Sequence, residues 1–185
     1  YIMHTFNTQI EFSDILPWSK EGAETAFQIF KPYLSIAKDC GVNGKGCFYA
    51  KNYKWGDGSN VSAIYGTDSR YYKVLLSDGS SIAFRGVGDN PSAGYLFVIF
   101  YDINGEQGPN RWGRDLFEFA LRAKDNKIIA LGEGDAEKWF KTRCYGTGVG
   151  SGDHCTAWEI FNENMDYLHC KELSWNGPKS CKEVK

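Results

Sequence analysis

Hydrophobic positions near the start of the chain recur at the spacing of a helix. Over residues 19–38 the apolar side chains fall on one helical face, at Ala23, Ala26, Phe27, Phe30, Leu34 and Ala37. Ser19 is a favourable N-cap, and Gly41 follows the last apolar position, so both ends carry helix boundary residues. Pro32 lies inside the pattern, which therefore predicts either a kinked helix or two shorter helices.

Further along, the pattern changes to short strands that are separated by turns. Strands are predicted at residues 71–76, 81–85, 94–102, 116–121 and 127–131. Asp78 and Gly79 lie between the first two strands and form a strong hairpin signal. Residues 94–102 are apolar on both faces, so this strand is predicted to be the most buried.

Two short segments follow the last strand. Residues 136–141 predict a short helix with Asp135 as its cap, and residues 156–161 favour a short helix over a strand. This order predicts an α+β fold class, in which an N-terminal helix, or a helix stub plus a helix, packs on an antiparallel β-meander. Disulfides would clamp the C-terminal region. No linker or repeat divides the chain, so one globular domain is predicted over residues 1–185.

Composition and charge narrow the class of protein. The 185 residues are 42% hydrophobic and 24% charged, which is typical of a folded domain and not of a disordered chain. The formal net charge is −2. Nucleic acid is therefore not expected as a partner, because nucleic-acid-binding surfaces are basic. The longest apolar run, Tyr95–Tyr101, is far shorter than the about 20 residues of a membrane-spanning helix.

The six cysteines fall into three couples that are close in sequence. Such couples indicate disulfides and an oxidising compartment, although six cysteines allow 15 pairings. Nearest-neighbour pairing is favoured because each couple brackets a loop, which gives Cys40–Cys47, Cys144–Cys155 and Cys170–Cys181. Zinc binding is the alternative. It is disfavoured because no C-x2-C pair exists and only His154 and His169 lie near cysteines.

Motifs for catalysis are missing from the sequence. It contains no HExxH, no G-x-S-x-G and no Walker loop, so no enzymatic activity is expected. The glycine-rich segment 146–152 does not fit the G-x-G-x-x-G spacing. A flexible surface loop is therefore favoured there over a phosphate site.

Residues 102–115 form the segment that most resembles a ligand-binding loop. A curled loop could direct several oxygen ligands at one Ca²⁺ ion, and the candidates are Asp102, Asn104, Glu106 and Asp115. The glycine and the closing glutamate of an EF-hand are not at their usual positions. The alternative is a turn that is held by Asx hydrogen bonds and needs no metal.

Four segments of the chain resemble bacterial type IV pilin-like proteins and pseudopilins. Residues 102–119 read Asp-x-Asn-Gly-x-x-Gly-Pro-Asn-x-x-Gly-x-Asp-x-Phe-x-Phe, which is similar to the C-terminal half of that family. Residues 31–40 (KPYLSIAKDC) resemble the end of its helical region, and residues 74–81 (VLLSDGSS) its sheet hairpin. Residues 155–158 (CTAW) and 164–168 (NMDYL) resemble its closing segment. The order of the segments agrees with the family across residues 31–181.

The resemblance implies a structural subunit of a type IV pilus or a type II secretion pseudopilus. In that family a long apolar N-terminal helix anchors the subunit in the inner membrane and later joins the filament core. The sequence lacks that helix, so residues 1–10 would be its stub. The implied partners are other pilin subunits, which the missing helix would contact. The membrane, too, would be contacted only through that helix. The implied location is extracytoplasmic, in the periplasm or in a cell-surface filament.

A secreted binding module, such as a carbohydrate-binding or adhesin domain, is the alternative function. The chain is rich in aromatic residues, at 16%. Exposed aromatic rings could form a binding platform, and the candidates are Trp55, Trp112 and Trp175.

Overall fold

A six-stranded antiparallel sheet forms the main body of the computed structural model, which describes residues 15–61, 65–88 and 94–184. The strands lie side by side in chain order. They are β1 (Ile36–Gly41), β2 (Tyr72–Leu76), β3 (Ser81–Gly86), β4 (Tyr95–Asp102), β5 (Leu116–Arg122) and β6 (Lys127–Ala130). The predicted strands correspond to β2–β6 and are confirmed to within one residue at each end.

The first helix, α1 (Lys20–Phe30), is much shorter than the pattern over residues 19–38 suggested. Ser19 is confirmed as its N-cap, because its hydroxyl accepts a hydrogen bond from the Gly22 N–H at 3.2 Å. A single 3₁₀ turn that contains Pro32 follows α1. The chain is extended by Leu34 and then enters β1, which pairs with β2. Strand pairing has therefore overridden the helical spacing beyond the proline.

The predicted fold class, with an N-terminal helix packed on a meander, is wrong. The sheet dominates, and the α-helices in the described ranges are short: α1, α2 (Ala136–Trp139) and α3 (Thr156–Asn162). The predicted helix over residues 136–141 changes into a π-helical turn at Phe140, and the Asp135 side chain makes no capping hydrogen bond. The predicted helix stub at residues 1–10 lies outside the described residues.

The two faces of the sheet differ in chemistry. One of them, here called the apolar face, carries a cluster of hydrophobic side chains from the strands and from α1: Ala26, Phe27, Phe30, Val74, Phe84, Leu96, Phe97, Ile99 and Leu121. The Phe27 ring stacks on Tyr72 at a centroid distance of 4.0 Å. The Phe30 ring meets Phe97 edge to face at 5.8 Å.

The opposite face, here called the mixed face, combines aromatic residues with buried charges. Its strand residues Ala83, Val98, Phe100, Leu116 and Ala120 pack against loop residues that include Tyr53, Tyr65, Tyr71 and Trp112. Lys73 and Asp102 lie opposite Ala83 and Ser81 in the strand pairing and are fully buried. The Lys73 ammonium donates hydrogen bonds to the carbonyl oxygens of Val42 and Asp68 at 2.7 and 3.0 Å.

Three disulfides close loops around the sheet, and their pairing confirms the nearest-neighbour prediction. The bonds are Cys40–Cys47, Cys144–Cys155 and Cys170–Cys181. They indicate an oxidising, extracytoplasmic environment. The second bond lies in a C-terminal apolar cluster, where the Phe140 ring stacks on Trp158 at 3.9 Å. Within the described ranges, no helix has both the length and the apolar character to cross a bilayer.

Candidate functional site

The predicted calcium ligand Asp102 is occupied by hydrogen bonds from the protein. It ends β4 and is fully buried. The Tyr53 hydroxyl donates to its Oδ2 at 2.5 Å, and the Asn104 N–H donates to its Oδ1 at 3.1 Å. The second contact spans two residues and is the hydrogen bond of an Asx turn. Asp102 thus links a covering loop to the sheet and also shapes the chain that leaves β4.

Asp115 has the same kind of role at the other end of the loop. It is 1% exposed. Its two carboxylate oxygens accept hydrogen bonds from the N–H groups of Asn110 and Arg111, both at 2.6 Å. Its carbonyl oxygen accepts from the Ile103 N–H at 2.9 Å. The two buried carboxylates therefore brace both ends of the segment 102–115.

Burial gives these two carboxyl groups an unusual protonation behaviour. It raises the pKa of Asp102 to about 7, and the nearby charge of Asp115 adds to the rise. The hydrogen bonds from Tyr53 and Asn104 act against it. Burial also raises the pKa of Asp115. The structure therefore brings Asp102 and Asp115 near each other at a low-dielectric site.

The four predicted calcium ligands do not form one cluster. Glu106 is exposed, and the Asn104 amide donates to the Gly108 carbonyl at 3.0 Å. Across residues 15–61, 65–88 and 94–184, no group of three or more His, Cys, Asp or Glu side chains is arranged to hold a metal. The hydrogen bonds of Asp102 and Asp115 support the Asx-turn interpretation of this loop.

A second feature, which the sequence did not reveal, is a crossing of three loops at glycine residues. We call it the loop junction and define it by Gly56, Gly113 and Gly152. The Gly56 N–H donates to the Ser151 carbonyl at 2.6 Å. A Cβ atom on Gly152 would lie 2.5 Å from the Trp112 carbonyl oxygen, and one on Gly113 would lie 2.9 Å from the Cys155 sulfur. Only glycine permits these backbones to approach so closely.

Polar side chains fasten the loop junction. Asp57 accepts hydrogen bonds from the N–H and hydroxyl of Ser59 and from the Gly148 N–H. These contacts lower the pKa of Asp57 to about 2. The Arg111 guanidinium donates to the carbonyl oxygens of Trp55 and Gly56. The glycine-rich segment 146–152, predicted to be a flexible surface loop, is thus tied to Gly56 and Asp57.

A cleft of about 240 Å³ opens beside the loop junction. Its walls include Arg114, Tyr145, Thr147 and Tyr167. The Tyr167 hydroxyl donates to the Gly113 carbonyl at 2.8 Å, and the Tyr145 hydroxyl donates to the Cys170 carbonyl at 2.5 Å. Both tyrosines are therefore engaged within the protein. The Nε atom of Arg114 is buried, and it has no hydrogen-bond acceptor among the described residues.

The tryptophans that suggested a carbohydrate platform do not form an exposed row. Trp112 is only 2% exposed, and its ring packs on Phe100 and Tyr65 within the mixed face. Trp55 stacks on Trp112, and Trp175 packs edge to face on Trp158; both are partly buried. The expectation of an exposed ring is therefore wrong for Trp112.

Comparison of the chain with protein-family models, curated proteins and solved structures finds no match. The functional interpretation therefore depends on the geometry of the loops and on the motifs of the sequence.

Proposed function

We propose that the chain is a structural subunit of an extracellular or periplasmic filament of the type IV pilus or type II secretion pseudopilus kind. The main support is the structural role of residues 102–119, which form the segment with the most extended similarity to pilin-like proteins. Its two aspartates, Asp102 and Asp115, are buried and accept hydrogen bonds from four different residues. Two buried aspartates that brace a loop give this segment a shape-determining role.

The disulfides support the same proposal. Three bonds close loops in the part of the molecule that surrounds the sheet. Closing loops of this length stabilises the native state by roughly 3 kcal/mol each in the chain-entropy model. Such cross-links are typical of domains that work outside the cytoplasm.

The proposal includes an assembly partner and a location. Other copies of the subunit would be contacted through an apolar helix that precedes the present sequence. The same helix would anchor the subunit in the inner membrane before assembly. The described domain would then face outward from the filament core.

The sequence upstream of Tyr1 provides the first test. We expect a short processing site, a Glu at the fifth mature position and about 20 apolar residues. A signal peptide without that helix would contradict the filament proposal and favour the secreted binding module.

A cellular test can follow with the full-length chain in its own host. We expect antibodies against the domain to label filaments in electron micrographs and to detect the chain in the fraction sheared from cells. The matched control replaces the upstream helix with a plain signal peptide. That variant should be secreted and folded but absent from filaments, and its incorporation would contradict the proposal.

A further inference from the structure

Within residues 15–61, 65–88 and 94–184, the Arg114 side chain has no hydrogen-bond acceptor, unlike the side chains of the other arginines. Three of the six arginines pair with aspartates, as Arg70–Asp68, Arg122–Asp125 and Arg143–Asp153. Arg111 donates to two backbone carbonyls, and Arg85 donates to the Tyr71 hydroxyl at 3.3 Å. In the part of the chain that the structure describes, the Arg114 guanidinium has neither an ion pair nor a hydrogen bond, and its Nε atom is buried.

The buried Nε atom of Arg114 is closed to a ligand, so contact with the cleft falls to its two Nη groups, which have no acceptor among the described residues. We propose that the cleft at the loop junction binds the oxyanion of a small ligand, a carboxylate or a phosphate, through Arg114. A guanidinium offers a planar fork of N–H groups that matches both oxyanions with two parallel hydrogen bonds. The ligand would supply the acceptor that these Nη groups lack among the described residues.

The charges around the cleft are compatible with an anion. Burial lowers the pKa of Arg111, and the positive charge of the nearby Arg114 lowers this pKa further. Asp57 also lines the cleft, and its charge opposes an anion. Its oxygens, however, already accept hydrogen bonds from Ser59 and Gly148. The charged residues of the lining are thus Arg114 and Asp57, and Arg111 adds a second guanidinium close by.

The walls of the cleft limit the size of its ligand. The volume of about 240 Å³ is below the roughly 300–1,000 Å³ of clefts that hold drug-sized molecules. The glycine contacts of the loop junction and the Cys144–Cys155 bond fix the wall positions. The Thr147 side chain is exposed and also lines the cleft, so its hydroxyl offers a second donor at the rim. A preformed site of this kind does not lose affinity to loop ordering.

Nuclear magnetic resonance of the purified chain tests the proposal with inorganic phosphate and acetate as separate probes. We expect the Arg114 Nε–H signal to shift saturably with at least one probe at constant ionic strength. A stronger response to phosphate would identify a phosphate ligand, and a stronger response to acetate a carboxylate ligand. No saturable shift with either probe would overturn the proposal.

Two arginine variants test whether the probes bind at Arg114. Arg114→Gln should weaken binding at least tenfold, as followed by backbone signals of Gly113 and Thr147. Arg122→Gln, which removes an arginine already paired with Asp125, should bind like the wild type. Equal weakening in both variants would show nonspecific charge binding and refute the site. Should Arg114→Gln not fold, the wild-type Arg114 signal still decides the matter. A negative result leaves the filament proposal untouched.

Discussion

The two faces of the sheet are stabilised in different ways. On the apolar face, Phe27, Phe30 and Phe84 form a cluster in which ring contacts provide the packing. On the mixed face, aromatic rings surround groups such as Lys73 and Asp102, which are buried and hydrogen-bonded. We therefore expect one half of the core to tolerate exchange among residues of similar volume, whereas the other half should require particular donors and acceptors.

The largest expected effect comes from the apolar face. Phe84→Ala removes a fully buried ring that contacts Phe27 and Phe30, with centroid distances of 5.9 and 5.3 Å. We expect a loss of about 3–5 kcal/mol in the free energy of unfolding, measured by urea denaturation. Ile82→Ala, at a partly buried position on the same face, is the control and should lose less. The loss in Phe84→Ala should be the same at pH 5 and pH 8, since no titrating group is touched.

Two disulfides with the same sequence separation, 11 residues, allow a matched comparison next. Replacing either pair by alanines should cost roughly 3 kcal/mol through loop entropy. Cys144 and Cys155 are buried at 7% and 1% exposure, whereas Cys170 and Cys181 are partly exposed. The first pair should therefore cost more, as measured by thermal unfolding. An equal cost would mean that packing around the loop junction adds nothing.

The mixed face should respond to pH, and Tyr53→Phe tests this. The variant deletes the hydroxyl that donates to buried Asp102. We expect a loss of about 1–3 kcal/mol from the unsatisfied acceptor. The loss should be larger at pH 8, where Asp102 is ionised, than at pH 5, where the native pKa of about 7 keeps it protonated. Urea denaturation at both pH values measures the difference, and a pH-independent loss would contradict the assigned protonation.

The sign of the wild-type pH dependence follows from the same group. Asp102 has a pKa of about 7 in the native state and an ordinary value of 3.8. Between these values the native state holds a proton that the unfolded chain has released, so the free energy of unfolding falls as pH rises. Asp102→Asn should reduce this slope. Part of the pH dependence should remain in this variant because of Glu118, since burial raises the pKa of Glu118 to about 7 as well.

The smallest effect is expected at the start of α1. Ser19→Ala removes the hydroxyl that accepts the Gly22 N–H. We expect a loss of about 1 kcal/mol in the free energy of unfolding, measured by urea denaturation at pH 7. Ser19→Asp should preserve the cap and serves as the control. A loss comparable to that in Phe84→Ala would show that α1 is coupled to the apolar face more tightly than its contacts indicate.

Local signals in the sequence were sufficient for most of the sheet. Asp78 and Gly79 predicted the β2–β3 turn, and the apolar run before Asp102 predicted β4. These features depend on nearby residues, so the sequence pattern shows them directly. The helical spacing beyond Pro32 was misleading, because pairing of β1 with β2 depends on residues about 35 positions away and gives no local pattern.

The candidate site was less accessible to sequence reasoning. The calcium hypothesis singled out Asp102 and Asp115, but it could not show that Asp102 accepts a hydrogen bond from Tyr53, which lies 49 positions away in the sequence. The loop junction combines glycines from three distant segments, and their close approach emerges only in the fold. In the sequence, the loop junction was indicated only by the high density of glycine between residues 146 and 152.

The first strand also bears on association between copies of the molecule. As one of the two edge strands of the sheet, β1 has two irregularities in its pairing with β2, one between Ile36 and Lys38 and one between Asp39 and Gly41. Lys38 and Asp39 are exposed, and the Lys38 ammonium bonds to the Lys45 carbonyl of the disulfide-closed loop at 2.7 Å. An uneven, charged and partly covered edge is a poor template for a further strand. We therefore expect this edge to resist the strand-to-strand addition that produces amyloid-like ribbons.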